Sequence, residues 1–218
     1  MKYKIISGMY ETGNAEQQAG YEQLFGKDEI QRKFDLYFHW YNLIHEMGHC
    51  LVAQYGLKKS DVQEEMYVNE FAVGYYRFIG ENEKLEELKS YLQAVTGQIP
   101  SPVPADQTFV SFFESIWGTE QMMNVMLYGY FQLSSVLEAM KNDREFSDII
   151  SELGAVISPA EIKKCEETIS AANAEKHLST AMENLRAMGL KVPEISLELA
   201  EDPMIQCARF YNVFQSFS

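Results

Sequence analysis

"LIHEMGHCLV", residues 43–52, puts His45, Glu46 and His49 within five positions. In an α-helix, residues i and i+4 share a face about one turn apart, so both imidazoles can point at one metal ion. Zinc accepts imidazole nitrogen at about 2.0–2.1 Å, and this spacing suits it. Glu46, next to His45, can reach a metal-bound water as general base and pass its proton to a leaving amine. Gly48 has no Cβ and lets another segment come close. Glu46-x-x-His49 is also the half-motif of di-iron carboxylate bundles. Those need a second copy on another helix, and none exists: Glu175 and His177 are two apart.

Working outward, Ile30, Phe34, Tyr37, Phe38, Tyr41, Ile44, Met47 and Leu51 recur every three or four residues, which predicts one helix over 29–55. Gly56 suits its C′ position. Ser60 with Gln63 is a capping-box signature for a second helix running to about Ile79. The short connection returns this helix antiparallel to the first, which brings Glu64, Glu65 and Glu70 near the histidines. Glu65 and Glu70 both fall within roughly 6 Å of the right height, but they are about 140° apart around the axis. Only one of them can face the metal, and helix geometry leaves both open.

The second helix reads Glu65-Met66-Tyr67-Val68-Asn69-Glu70-Phe71-Ala72. With the His-Glu-x-x-His string, this resembles the zinc metallopeptidases of the ImmA/IrrE type, whose ligand helix follows a Glu-x-x-Ala-Asn-x-Phe-Ala pattern. The resemblance covers about residues 30–80. Val68 stands where the pattern has alanine, and Tyr75-Tyr76-Arg77-Phe78 replaces the Leu-Leu-Met-Pro that often follows. It implies Zn²⁺ held by His45, His49 and Glu65, with Glu46 catalytic and a peptide or protein as substrate. Asn69-Glu70 also resembles the Asn-Glu of thermolysin-like gluzincins, which makes Glu70 the alternative third ligand. Family members hold their substrate on the edge strand of a small sheet, and before the motif only Lys2–Ile6 offers one.

Other residues invite plainer readings. His39, six residues before His45, lies about 240° away around an α-helix and serves as a structural histidine. His177 sits on a charged helix and is expected to be solvent-exposed. Tyr67, Tyr75 and Tyr76 are aromatic packing by default, with an oxyanion hydrogen bond as the functional option. Asn69 is either helix-surface polarity or a group that orients a metal ligand.

The expected fold is mainly α, with little or no sheet. Residues 1–97 form a metallopeptidase-like helical unit and 98–218 a C-terminal helical region, which can pack as one domain. The proline-rich "GQIPSPVPAD", residues 97–106, marks the boundary. Further helices are predicted over 85–95, 108–117, 119–140 and 146–153. Another starts at Ser158-Pro159-Ala160-Glu161 and reaches about Met188, and a last covers Asp202 to Phe214. The methionine-rich stripe at 119–140 reads as core. Strand signals are confined to "KYKII", 2–6, and "GLKVPEISL", 189–197.

Composition narrows the function classes. The net charge of −14 and the lack of a basic block argue against nucleic acid. No apolar run reaches the roughly 18 residues of a membrane span, and no signal-peptide h-region is seen. Cys50, Cys165 and Cys207 are odd in number and far apart, so small buried thiols in a cytoplasmic protein are expected rather than disulfides. A regulatory or partner-binding helical protein that keeps the metal site without turnover is the alternative function. The sequence sets no oligomeric state.

Overall fold

A computed structural model describes residues 2–203. The stretch predicted as one α-helix is a continuous rod with an irregular middle. It comprises α2 (Ile30–Phe34), a π-helical segment (Asp35–Tyr41) and α3 (Asn42–Tyr55). All seven π-helical residues are buried. A rod with Tyr37, Phe38, Trp40 and Tyr41 around its circumference cannot confine its apolar surface to one stripe, so it is enclosed on all sides.

Gly56 then adopts a left-handed conformation at φ +69°. Its N–H donates to Ala53 O and that of Leu57 to Val52 O, closing the end of α3. The chain reverses into α4 (Asp61–Phe78), where Ser60 Oγ accepts from Gln63 N at 3.3 Å. Only this half of the expected capping box forms, because the Gln63 side chain turns to Glu114 instead. α3 and α4 pack tightly at Gly48, where an added Cβ would lie 3.0 Å from Val68 Cβ and 3.2 Å from Phe71 Cδ1.

The rest of the chain builds around this pair. β1 (Lys2–Gly8) and α1 (Ala15–Phe25) precede it, and α5 (Asn82–Thr96) follows. Beyond the proline-rich stretch come α6 (Phe109–Ile116), a 3-10 turn (Glu120–Met123), α7 (Val125–Lys141) and α8 (Phe146–Ser151). α9 (Ala174–Ala187) and β2 (Glu194–Ala200) complete the described residues. The fold is mainly helical. β1 and β2 pair in parallel from Lys2 opposite Glu194 to Gly8 opposite Ala200, so both strand signals are used, and they meet each other. The main core draws on both sides of residue 97: Leu43, Leu51 and Phe71 share it with Val136, Ile150 and Leu185. A smaller cluster of Val62, Phe113, Ile116 and Phe131 joins α6 and α7 to the start of α4. Among the described residues, no helix is long and apolar enough to cross a membrane.

Two expectations need correction. Residues 158–170 are not helical, and α9 begins only at Ala174. The local start signal loses to tertiary partners. Ser158 N donates to Met188 O, and the Lys163 backbone exchanges two 2.9 Å hydrogen bonds with the Asn184 side chain. Ala155, Ile157, Ala160 and Ile162 pack on the core from this extended arm. The stripe at 119–140 is core only in part. Phe131 and Val136 are buried, whereas Met123 and Met126 are exposed. The helix expected to run to Phe214 falls, from residue 204 on, outside the described residues.

Candidate metal centre

α3 and α4 bring His45, His49 and Glu65 together in the interior. Each offers one ligand atom, and these atoms lie within 4.8 Å of one another. His45 Nε2 is 3.5 Å from Glu65 Oε2, and His49 Nε2 is 3.3 Å from Glu65 Oε1. Donors held 2.0–2.1 Å from a tetrahedral zinc ion stand roughly 3.3–3.4 Å apart, close to the two histidine–carboxylate distances. The donor set, two imidazole nitrogens and a carboxylate, fits zinc chemically, and Glu65 Oε2 is buried with no hydrogen-bond partner.

Both rings are held by their other nitrogen. His45 Nδ1 lies 3.0 Å from Asn69 Oδ1, and His49 Nδ1 lies 2.8 Å from Glu64 Oε1. An acceptor at Nδ1 places a proton there, so that in the neutral ring the Nε2 lone pair is the one directed towards Glu65. Asn69 is itself fixed. Tyr41 donates to its Oδ1, while its Nδ2 donates to Glu65 O and to Ser135 Oγ of α7. It is buried, so the surface-polarity reading of Asn69 is set aside. Glu64 was among the glutamates expected near the histidines, and it takes the Nδ1 side of His49 while Glu65 takes the Nε2 side.

Burial and charge work against each other here. Burial lowers the His45 ring below the usual imidazole range, against the pull of Glu65, and neighbouring His49 lowers it further. Burial acts the same way on His49, but Glu65 beside it and hydrogen bonds to Glu64 and Glu65 hold that ring well above the usual range. Burial would raise the Glu65 carboxyl; His49 and then His45 overcome this and keep it low. Without metal, the site thus balances its buried carboxylate with a proton on His49. A divalent cation can take that place.

The remaining candidates are spread out. Glu46 is half-buried one residue from His45, and Asn42 Nδ2 lies 3.4 Å from its Oε1. Glu70 points to a different partner set, with Arg144 at 2.6 Å and Asn142 at 2.7 Å. His39 is fully buried against Asp35 and Gly8 O. His177, expected at the surface, is 7% exposed, and its Nε2 has no hydrogen-bond partner. The hydroxyls of Tyr67, Tyr75 and Tyr76 are engaged with Ile149 O, Asn184 and Trp40 O, away from the three ligand residues. Cys50 is buried, Cys165 half-buried, and neither is in a disulfide; Cys207 lies outside the described residues. Comparison with protein-family models, with curated proteins and with solved structures finds no match.

Proposed function

We propose that this protein is a zinc-dependent hydrolase of peptide bonds, with zinc held by His45, His49 and Glu65 and with Glu46 as general base. The observation that carries the reading is the pair of imidazole Nε2 atoms facing one buried carboxylate, each ring oriented from behind. A zinc ion in such a site supplies a Lewis acid that polarises a carbonyl and lowers the pKa of a bound water. Glu46 lies on the same turn of α3 and remains partly accessible. There it takes the proton of the attacking water and returns it to the leaving amine. Asn42 steadies its carboxylate, and the apolar residues around His45 and Glu65 keep the ligands from exchanging with bulk water.

A second reading, a regulatory or partner-binding protein that holds metal without turnover, draws on the same burial, since His45 and Glu65 are each only 2% exposed. One experiment separates the two. Purified wild type and Glu46→Gln are assayed for zinc content and for cleavage of a peptide library. The hydrolase reading expects about one zinc per chain in both and cleavage in wild type alone. Zinc without cleavage in wild type supports the second reading, and no zinc in either removes both.

A further inference from the structure

We propose that the lobe of α6, the 3-10 turn and the first turns of α7 is the substrate-docking surface of this centre, and that it takes apolar, positively charged peptides. The proposal rests on the hydrolase reading above and names its substrate class.

The lobe is apolar where apolar surface is not needed for folding. Among the described residues, the exposed large apolar side chains are Phe78, Met123, Met126 and Val156. Two of these four lie three residues apart, with Met123 72% and Met126 58% exposed. Phe112, Trp117 and Tyr130 beside them are only partly buried. The surface nonetheless has a firm base. Phe113, Ile116 and Phe131 pack beneath it, Trp117 Nε1 donates to Asp61 Oδ2 at 2.8 Å, and Ser60 and Gln63 both donate to Glu114 at 2.9 Å. These bonds tie the lobe to the N-terminal end of α4, one turn from Glu64 and Glu65.

It is also continuous with the centre. α7 runs beside α4 in the same direction: Ser135 meets Asn69, and Arg77 Nη2 donates to Met140 O, while Gln132 helps keep the Glu65 carboxyl low. Met126 precedes Gln132 by six residues, about 9 Å along the helix.

Charge identifies the occupant. From Ser90 to Met140 the chain has no Lys, Arg or His. Over the same span Asp106, Glu114 and Glu120 are exposed, and Glu46 and Glu64 stand partly accessible at the centre. Glu114 is tied to Ser60 and Gln63 at the start of α4, which carries Glu64 one residue further on; with no cation on the span, the field over the lobe is negative. Exposed, polarisable methionines on a span that carries carboxylates and no cation are complementary to a segment with Lys or Arg on one side and apolar groups on the other. An anionic lipid surface would be repelled by the same charges.

The test uses the full-length, zinc-loaded Glu46→Gln protein, which binds without cutting. Fluorescence anisotropy is read with a labelled peptide of Leu and Lys, about 18 residues long and amphipathic as a helix, and with its Leu/Glu counterpart. The Leu/Lys peptide should bind more weakly as salt rises, and Met123→Lys with Met126→Lys should weaken it by roughly tenfold or more. Equal binding of the Leu/Glu peptide, unchanged affinity in the double variant, or preferential binding to phosphatidylserine vesicles would overturn the proposal. The wild type then tells the two readings apart. Peptide bound but uncut sinks the hydrolase and spares the surface. Cutting with the same KM in Met123→Lys/Met126→Lys sinks the surface and spares the hydrolase.

Discussion

Asn69 Oδ1 lies 3.0 Å from His45 Nδ1, deep between α3 and α4, and takes a second hydrogen bond from Tyr41. One amide therefore orients the histidine whose Nε2 faces Glu65 and links α4 to the π-helical segment through Tyr41. Asn69→Ala should lower zinc affinity about 10- to 100-fold and cost about 1–3 kcal/mol of stability from the polar groups it leaves unpaired. Glu64→Ala should produce the affinity loss through His49, with little effect on stability because Glu64 is partly exposed. Zinc competition titrations alongside urea unfolding read both quantities. Wild-type affinity in Asn69→Ala would refute the orienting role.

Gly48 sets the distance between the two ligand helices. A methyl group there would meet Val68, whose branched side chain has one favoured rotamer in a helix and cannot turn aside. Alanine raises helix propensity by up to about 1 kcal/mol, but the overpacking costs about 1–3 kcal/mol. Gly48→Ala should therefore be neutral to moderately destabilising, while weakening zinc clearly because His49 and Glu65 are pushed apart. Thermal unfolding with and without zinc separates the two effects; undiminished zinc stabilisation would count against this account of the helix contact.

His39 and Asp35 form a buried pair at 2.6 Å, and the other ring nitrogen lies 2.9 Å from Gly8 O. The ring is thus held between a side-chain carboxyl and a backbone carbonyl. His39→Phe removes the ring partner of the buried Asp35, which keeps Gln31 Nε2 at 3.1 Å, and should cost about 3–5 kcal/mol. The double variant Asp35→Leu/His39→Phe should recover much of that loss in denaturant unfolding. Equal instability of the single and double variants would show that volume, not charge, dominates at this site.

His177 gives a pH dependence away from the metal. Burial lowers its ring below the usual imidazole range, and Lys84 adds to this. The folded form therefore releases the proton more readily than the unfolded chain. Its stability contribution is complete above the unfolded value near 6.5, and is lost as pH falls through that value until the folded ring also protonates. His177→Gln should flatten this part of the stability–pH curve below pH ~6.5, measured by urea midpoints in chelator. An unaltered curve would remove His177 as its source.

The α3–α4 pair was readable in the sequence because its signals are local: apolar periodicity, a glycine end, a serine start and side chains one turn apart. The choice among Glu64, Glu65 and Glu70 was not. It depends on how α4 is rotated, and Gly48 against Val68 and Phe71 settles that only once the helices touch. Asn69 was visible as a candidate, but its burial comes from Ser135 on α7, 66 residues away. Ser158-Pro159-Ala160-Glu161 misled because a well-formed helix start competes with Asn184, whose side chain holds Lys163 in an extended arm. His177 misled because charged neighbours say little about the single face of α9 that turns inward. Met123 and Met126 read as core by type, and only their position at the edge of the smaller cluster shows otherwise.

The π-helical stretch Asp35–Tyr41 acts as an angular coupling. Its wider turns advance the chain by less rotation per residue than the 100° of an α-helix. It therefore sets the phase between Phe34, which faces α1, and His45 and His49, which face α4. Because a π turn holds about one residue more than an α turn, a one-residue deletion that restored α-helical turns would nearly keep this phase, whereas α-helical turns over all seven residues would rotate both histidines by roughly 100° away from Glu65. In this chain the meeting of His45, His49 and Glu65 depends on the backbone form of the rod between Phe34 and His45, as well as on which residues it holds.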